Sequence, residues 1–406
     1  MVGGMNHIPG AWRRTAAGAG LIAADGSIAP SIFAEMSALA VRTGALNLGQ
    51  GFPDYDGPEE VMDAARKAIT DGHNQYPPVR GIPDLLLAIS EHQKRFYGLS
   101  VDPGSEVIVT AGATEALTAT ILALTGSPDD EVVVFEPYYD SYAAAAALGG
   151  AKLRTVPLER GTFQPDLARL AEAVTDRTRI ILVNDPHNPT GTVFSADVRA
   201  EIVRLANKHD AIIVTDEVYE HLVFDQPHVP IATMPGAEGR TLTISSSGKT
   251  FSATGWKVGW VHGPADLITA VLSVKQYLTY VNASPFQPAV AFGLRMGDDF
   301  FAGLAGEMAA KHKLLSAGLV AAGFEVSSPQ GGYFILADAT ALGASDAADF
   351  CRTVLPERAG VVGVPLTAFV SAENQNYYQG LVRFAACKRD SLIAEASKRL
   401  ASFAAG

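Results

Sequence analysis

The sequence predicts an α/β protein with a large doubly wound domain on a mostly parallel sheet, joined to a smaller α+β domain built from both chain ends. Three observations carry this. Between residues 106 and 260, short apolar runs alternate with helical patterns, and most runs break into Gly, Ser, Thr, Asn or Asp where they end. The runs VVVF at 132–135 and IILV at 180–183 are continuously apolar, as in strands covered on both faces. A chain of 406 residues with 48% hydrophobic content can also bury a large core, or two closely joined ones. The expected division is a flexible leader over residues 1–30, an N-terminal segment of the smaller domain over 31–60, the large domain over 61–294 and the rest of the smaller domain over 295–406.

Composition narrows the function. A formal net charge of −12 leaves no basic surface for nucleic acid or an anionic membrane. Cys351 and Cys387 are far apart and lack metal-ligand spacing, which argues against a disulfide framework or structural zinc and fits a reducing cytoplasm. Arg13 and Arg14 precede TAAGAGLIAA, a weak echo of a twin-arginine export signal; the run is too rich in Gly and Ala to carry that reading. No stretch approaches the roughly 18 consecutive apolar residues of a membrane helix.

Taken in order, Ile32, Phe33, Met36 and Leu39 fall at helical spacing, and NLGQGFPD from Asn47 then breaks into a glycine-rich loop. Residues 61–69 read as an amphipathic helix ended by NQYPP, which holds Tyr76. Residues 106–124 read as strand, turn and helix. The small residues Gly112, Ala113 and Thr114 at that junction leave backbone N–H groups free to face an anion at the helix N-terminus. Residues 131–142 run a buried strand into the pair Tyr138 and Tyr139, which suits core, rim or site equally. Residues 179–191 end a strand in turn chemistry, with Asn188 as the functional candidate and no role assigned to His187. In 211–222, Asp216 stands at a strand's C-terminal end, where open α/β sheets bind ligands. Glu217, Glu220 and His221 follow, but EVYEH is not the HExxH metal arrangement, so a solvated turn is expected there.

The stretch 241–260, TLTISSSGKTFSATGWKVGW, is the centre of the functional reading. Residues 241–244 read as a strand and the small residues after them as a loop, which puts Lys249 just past a strand end. A lysine amine whose pKa is lowered by burial or a nearby cation can form a Schiff base with a carbonyl. Hydroxyls at Ser245, Ser246 and Ser247 and the cation of Lys257 suit a phosphate beside it. A surface lysine in a polar loop has the same local pattern. Beyond residue 295 we expect a helix over 298–322, a strand in GGYFILAD, a helix over 345–355, a strand in LVRFAAC and a helix over 390–403. Arg383 in LVRF needs a partner if its strand is buried, either a bound carboxylate gripped bidentately or a structural ion pair.

Six motifs in order, NLGQGFPD, AGATEAL from Ala111, NDPHNPTG from Asn184, TDEVYE from Thr215, GKTFSATGWKVGW from Gly248 and LVRF from Leu381, resemble those of class I aminotransferases. These are fold-type-I enzymes dependent on pyridoxal 5'-phosphate (PLP). The likeness runs from about residue 31 to the C-terminus. It is nearest to the branch of kynurenine, glutamine and methionine aminotransferases and actinobacterial N-succinyldiaminopimelate aminotransferases. The resemblance implies that Lys249 holds the cofactor, Asp216 faces its pyridine nitrogen, and Tyr219 and Asn188 hydrogen-bond its phenolate oxygen. It further implies that Tyr139 stacks on the ring and that Ala113, Thr114, Ser246 and Lys257 surround the phosphate. Many relatives carry arginine at the Lys257 position. For the substrate it implies Arg383, Asn188 and the Gly51 backbone on the α-carboxylate and Phe33 in the side-chain pocket. Tyr76 is implied to reach the cofactor phosphate of a neighbouring subunit, making a homodimer with shared sites.

The implied reaction is ping-pong transfer of an amino group from an L-amino acid to a 2-oxo acid such as 2-oxoglutarate. A cysteine-conjugate carbon–sulfur β-lyase would use the same lysine and cofactor. A regulator built on the same fold is a remote alternative, since some 30 small and polar residues ahead of Ser31 supply no DNA-binding domain. The donor is open among methionine, glutamine, kynurenine and N-succinyldiaminopimelate. Arg80, in the Tyr76 loop, is a candidate for the distal carboxylate of acidic substrates, with a solvated loop arginine as the plain alternative.

Overall fold

The computed structural model describes residues 8, 10–23 and 25–403. Its main sheet has seven strands: β1 (Val107–Thr110), β2 (Glu131–Glu136), β3 (Lys152–Pro157), β4 (Thr178–Asn184), β5 (Ile212–Asp216), β6 (Thr241–Ser246) and β7 (Gly259–His262). Their spatial order is β1-β7-β6-β5-β4-β2-β3. The run from β6 to β3 is parallel, and β7 is antiparallel to both neighbours.

The unbroken apolar runs are explained by cover on both faces. In β4, Ile180 and Leu182 pack with the helices Gly112–Leu124 and Ala265–Lys275 on one side. Ile181 and Val183 pack on the other with the helix Ala196–His209 and with the smaller sheet's core. Alternation survives as two opposite apolar faces instead of an apolar and a polar one.

The smaller sheet contains β8 (Glu325–Val326), β9 (Phe334–Asp338), β10 (Val364–Pro365) and β11 (Leu381–Ala385) in the order β10-β11-β9-β8. Segments from both chain ends pack in its core, one of them as a separate two-stranded sheet. Leu46–Asn47 pairs in parallel with Val361–Val362, and the helix Ile32–Thr43, capped by Ser31 Oγ, buries Met36, Leu39 and Ala40 in the same core. The long helix Asp298–Ala321 and the closing helix Asp390–Phe403 cover its outer face.

Two expectations need correction. Part of the expected flexible leader is ordered, because Trp12–Gly18 is a helix packed on the helix Asp140–Gly149. Arg14 Nε donates to Ala147 O at 2.7 Å, and glycine at 18 permits the approach, since a Cβ there would lie 2.7 Å from Ala147 Cβ. Residues 1–7, 9 and 24 of that stretch lie outside the described residues. The helix expected over 345–355 is Ala347–Arg352 followed by a separate wide turn, Leu355–Ala359, where Pro356 cannot extend the ladder.

The strand β7 and the turn that opens helix Gly112–Leu124 touch backbone to backbone. A Cβ at Gly259 would lie 2.6 Å from Gly112 C and 2.8 Å from Ala113 N. Gly259→Ala should therefore push the turn outward and destabilise the protein by about 1–3 kcal/mol. Urea denaturation measures this, and an unchanged midpoint would mean that the turn yields freely.

Candidate active site

The ends of three adjacent parallel strands form the floor of a cavity of about 310 Å³. Asn184 closing β4 and Asp216 closing β5 are direct cross-strand neighbours, and Ser246 closes β6 beside them. Asn184 Nδ2 donates to Asp216 O at 2.8 Å while its Oδ1 accepts Asn188 N at 2.7 Å, so one amide ties the strand end to the turn that presents Asn188. Tyr142 OH donates to Asp216 Oδ2 at 2.7 Å. Burial pushes the Asp216 carboxyl up to about 6 against the opposing pull of that hydrogen bond and of Lys249.

Lys249 stands on a helical turn, Ser247–Thr250, and β6 runs two residues further than the apolar pattern indicates. Ser245, Ser246 and Ser247 are all buried, so the surface-loop reading of this lysine does not hold. Its Nζ donates to Gly51 O at 2.8 Å and lies 5.3 Å and 5.7 Å from the ring centroids of Tyr333 and Tyr219. Burial lowers its pKa from the usual lysine value. Tyr333 OH, reaching from the start of β9, donates to the Lys249 carbonyl at 2.9 Å.

One end of the cavity is built for an anion. Gly112 has φ +73° and starts a helix of 13 residues, with Ala113 and Thr114 in its first turn. Lys257, itself in a left-handed conformation at φ 52°, folds its ammonium over that turn. A Cβ at Gly112 would come within 3.0 Å of the Lys257 Nζ, so glycine keeps the space between cation and turn open.

Arg383 closes the opposite side. It is 1% exposed in the centre of the smaller sheet, and its guanidinium lies 3.9 Å from the Phe334 centroid and 4.5 Å from that of Phe369. Its hydrogen bonds go to neutral acceptors, Asn188 Oδ1 at 3.0 Å and Gly49 O at 2.8 Å, and Nε has no partner. The expected alternative of a structural ion pair is therefore not what the strand contains. Burial lowers this guanidinium to about 10, the mark of a cation short of a counter-charge.

Of the residues singled out from the sequence, Phe33, Gly51, Ala113, Thr114, Tyr139, Asn188, Asp216, Tyr219, Ser246, Lys249, Lys257 and Arg383 all line this one cavity. Tyr76 and Arg80 do not. Tyr76 is 82% exposed, with its ring edge against Tyr280. Arg80 donates to Val107 O at 2.9 Å and is engaged with the edge strand β1 of its own chain. His187 is buried, 2.8 Å from Thr190 Oγ1 and outside the cavity. The turn after Asp216 is a correction, since Glu217 and Glu220 are buried and not solvated. Glu217 bonds His228 at 2.7 Å, and Glu220 accepts from Tyr97 OH and Ser245 Oγ at 2.7 and 2.5 Å. Sequence reasoning missed Tyr142, Asn184, Tyr333 and Phe334, which look like ordinary core residues of strands and helices.

Residues 43–400 match the family model for aminotransferase class I and II. The chain belongs to that family. It is 48% identical over 386 residues to a probable N-succinyldiaminopimelate aminotransferase of Mycobacterium tuberculosis, covering 93% of this chain and 96% of that one. It is 37% identical over 371 residues to a methionine aminotransferase of Escherichia coli, covering 91% and 95%. A solved structure of the M. tuberculosis N-succinyldiaminopimelate aminotransferase superposes with a TM-score of 0.89 over 92% of this chain and 97% of that one, at 48% identity. The fold is accordingly the fold-type-I aminotransferase fold, and the chain is an aminotransferase.

The cavity of this aminotransferase fits PLP, the cofactor implied by the family. An anion-binding turn with a cation over it, a buried amine and a buried carboxylate are brought to one enclosure, whose size suits a small ligand. A raised carboxyl pKa makes a stability prediction for the protein freed of cofactor. Between the unfolded carboxyl pKa of 3.8 and the folded value near 6, the folded state holds the extra proton, so the Asp216 contribution to stability falls as pH rises through that window. The stability of Asp216→Asn relative to wild type should rise from pH 4 to pH 7, by about 3 kcal/mol at most. Urea denaturation across that range tests it, and a flat difference would place the titration elsewhere.

Proposed function

We propose that the chain is a PLP-dependent aminotransferase that moves the amino group of N-succinyldiaminopimelate to 2-oxoglutarate. The observation that carries the chemistry is the juxtaposition of a half-buried lysine and a buried carboxylate in a cavity closed by an arginine with unused donors. The donor is proposed from the 48% identity to the M. tuberculosis relative over nearly the whole of both chains.

When bound, PLP supplies a carbonyl that captures amines and a ring that takes up the electron pair left by an α-proton. Lys249 holds it in this reading, and Ala113, Thr114, Ser246 and Lys257 surround its phosphate. Asp216, fixed by Tyr142, would face the ring nitrogen and keep it cationic, while Tyr219 and Asn188 would bond the phenolate oxygen and Tyr139 would cover the ring. Arg383 takes the substrate α-carboxylate in a planar two-point grip, supported by Asn188 and the Gly51 loop. Lys249, its amine made easier to deprotonate by burial, carries the proton at the substrate α-carbon. Donor and acceptor use the same cavity in turn, so kinetics are ping-pong. Tyr76, with Tyr277 and Tyr280, forms an exposed aromatic edge that supports a homodimer in which Tyr76 reaches the partner's cavity. Two buried free cysteines support a cytoplasmic location, and among the described residues no helix is long and apolar enough to cross a membrane.

Lys249→Ala should abolish turnover, and full activity in that variant would remove the proposed reaction. With 2-oxoglutarate as acceptor, N-succinyldiaminopimelate should show a kcat/KM at least about tenfold above methionine, glutamine and kynurenine, a preference of roughly 1.4 kcal/mol. If one of the others is preferred by that margin, the donor is reassigned while the reaction type stands. In the homodimer, Tyr76→Phe mixed with Lys249→Ala should recover activity as subunits exchange. No recovery would argue for independent sites.

A further inference from the structure

Behind the cavity floor, on the far side of the turn that carries Tyr219, lies a cluster the transamination chemistry leaves unused. The helix Pro83–Tyr97 brings His92 against Glu220 and His221, and one ligand-competent atom from each lies within 4.8 Å of the others. The two Nε2 atoms of His92 and His221 face each other at 2.7 Å. His92 and Glu220 are buried, and aromatic rings wall the pair: Phe96 lies 4.8 Å from each imidazole and Phe301 4.4 Å from that of His221.

We propose that His92, His221 and Glu220 form a structural binding site for a divalent cation of the zinc type. Two imidazoles and a carboxylate are the donor set such an ion takes in tetrahedral sites, with a water in the fourth position. Two neutral Nε2 atoms in contact can share only one proton, and a Lewis acid between them satisfies both lone pairs. The rings part by roughly 0.6 Å to reach the ~3.3 Å separation of two nitrogens on one tetrahedral zinc.

The surroundings also supply groups that orient the ligands. Tyr97 OH and Ser245 Oγ each hold one Glu220 oxygen, leaving further lone pairs on both. The Gln93 amide stands 3.3 Å from His92 Nδ1, and its oxygen has no partner. Turned over, that amide accepts from Nδ1–H and fixes the tautomer in which Nε2 is a free ligand. The ion would fasten the helix Pro83–Tyr97 to the turn that carries Tyr219 into the catalytic cavity.

The test uses the intact holoenzyme, treated with chelator and cleared of unbound cofactor, because free PLP also binds metals. Titration with Zn(II), and separately with Co(II), followed by gel filtration and metal analysis, should leave about one ion per chain and raise the Tm. His221→Gln and His92→Gln should each weaken zinc binding by about a hundredfold or more, and Tyr97→Phe by about tenfold. Circular dichroism checks that each variant is folded. Failure of the folded wild type to retain zinc, or retention by both histidine variants with unchanged affinity, overturns the site and leaves the pair as a neutral imidazole hydrogen bond.

Discussion

The constraint on which the site depends is a carboxylate buried at the end of a central strand. Asp216 sits where water cannot reach it freely, and an isolated ionised carboxyl in such a place costs several kcal/mol. The fold offsets part of that cost with the Tyr142 hydroxyl and leaves the rest to whatever cation enters the cavity. Under the proposed function the protonated ring nitrogen of PLP would be such a cation, and the uncompensated part of the burial cost would become affinity for that protonation state. The parallel sheet makes this possible: β4, β5 and β6 end side by side, and their last residues share one cavity without any long loop having to be ordered.

The second half of the site comes from the other sheet and repeats the same logic with the opposite sign. Arg383 is buried between aromatic rings with only neutral acceptors, so its charge is compensated when a carboxylate arrives. The two halves are joined through the lysine itself. Lys249 Nζ reaches Gly51 O near the chain start, and Tyr333 OH from β9 holds the lysine carbonyl. Under the proposed function these two hydrogen bonds would keep the carboxylate grip of Arg383 and the amine of Lys249 in register with the substrate Cα.

What was legible in the sequence was what local chemistry determines. Strand ends that break into Gly, Asn, Asp or Ser mark a ligand edge without any knowledge of packing, and twelve residues chosen from them and from the family resemblance line one cavity. Tyr142 and Asn184 escaped because a tyrosine in an alanine-rich helix and an asparagine closing an apolar strand look like core and turn residues; only the fold brings their side chains to Asp216. Arg80 stands outside the cavity of its own chain, where one guanidinium nitrogen donates to the Val107 carbonyl on the edge strand. Charged residues in a turn are usually solvated, and nothing local to Glu220 announces the helix Pro83–Tyr97, whose Tyr97 covers it from 123 residues earlier in the chain.

That covered turn explains how Tyr219 is held in place. Across Asp216 to His221 the polar side chains are engaged on different elements: Asp216 with Tyr142, Glu217 with His228, Glu220 with Tyr97 and Ser245, and His221 with His92. Burial alone would lower the His228 pKa, yet it is raised, because the hydrogen-bonded Glu217 and the nearby Asp185 and Glu220 together outweigh the desolvation. Apolar contacts tolerate small rotations, whereas hydrogen bonds to buried acids lose their compensation when the geometry slips. A turn anchored at four polar points therefore has little freedom to rotate, and the intervening Tyr219 is presented to the cavity at a fixed angle, three of the four anchors, Glu217, Glu220 and His221, lying outside the cavity lining.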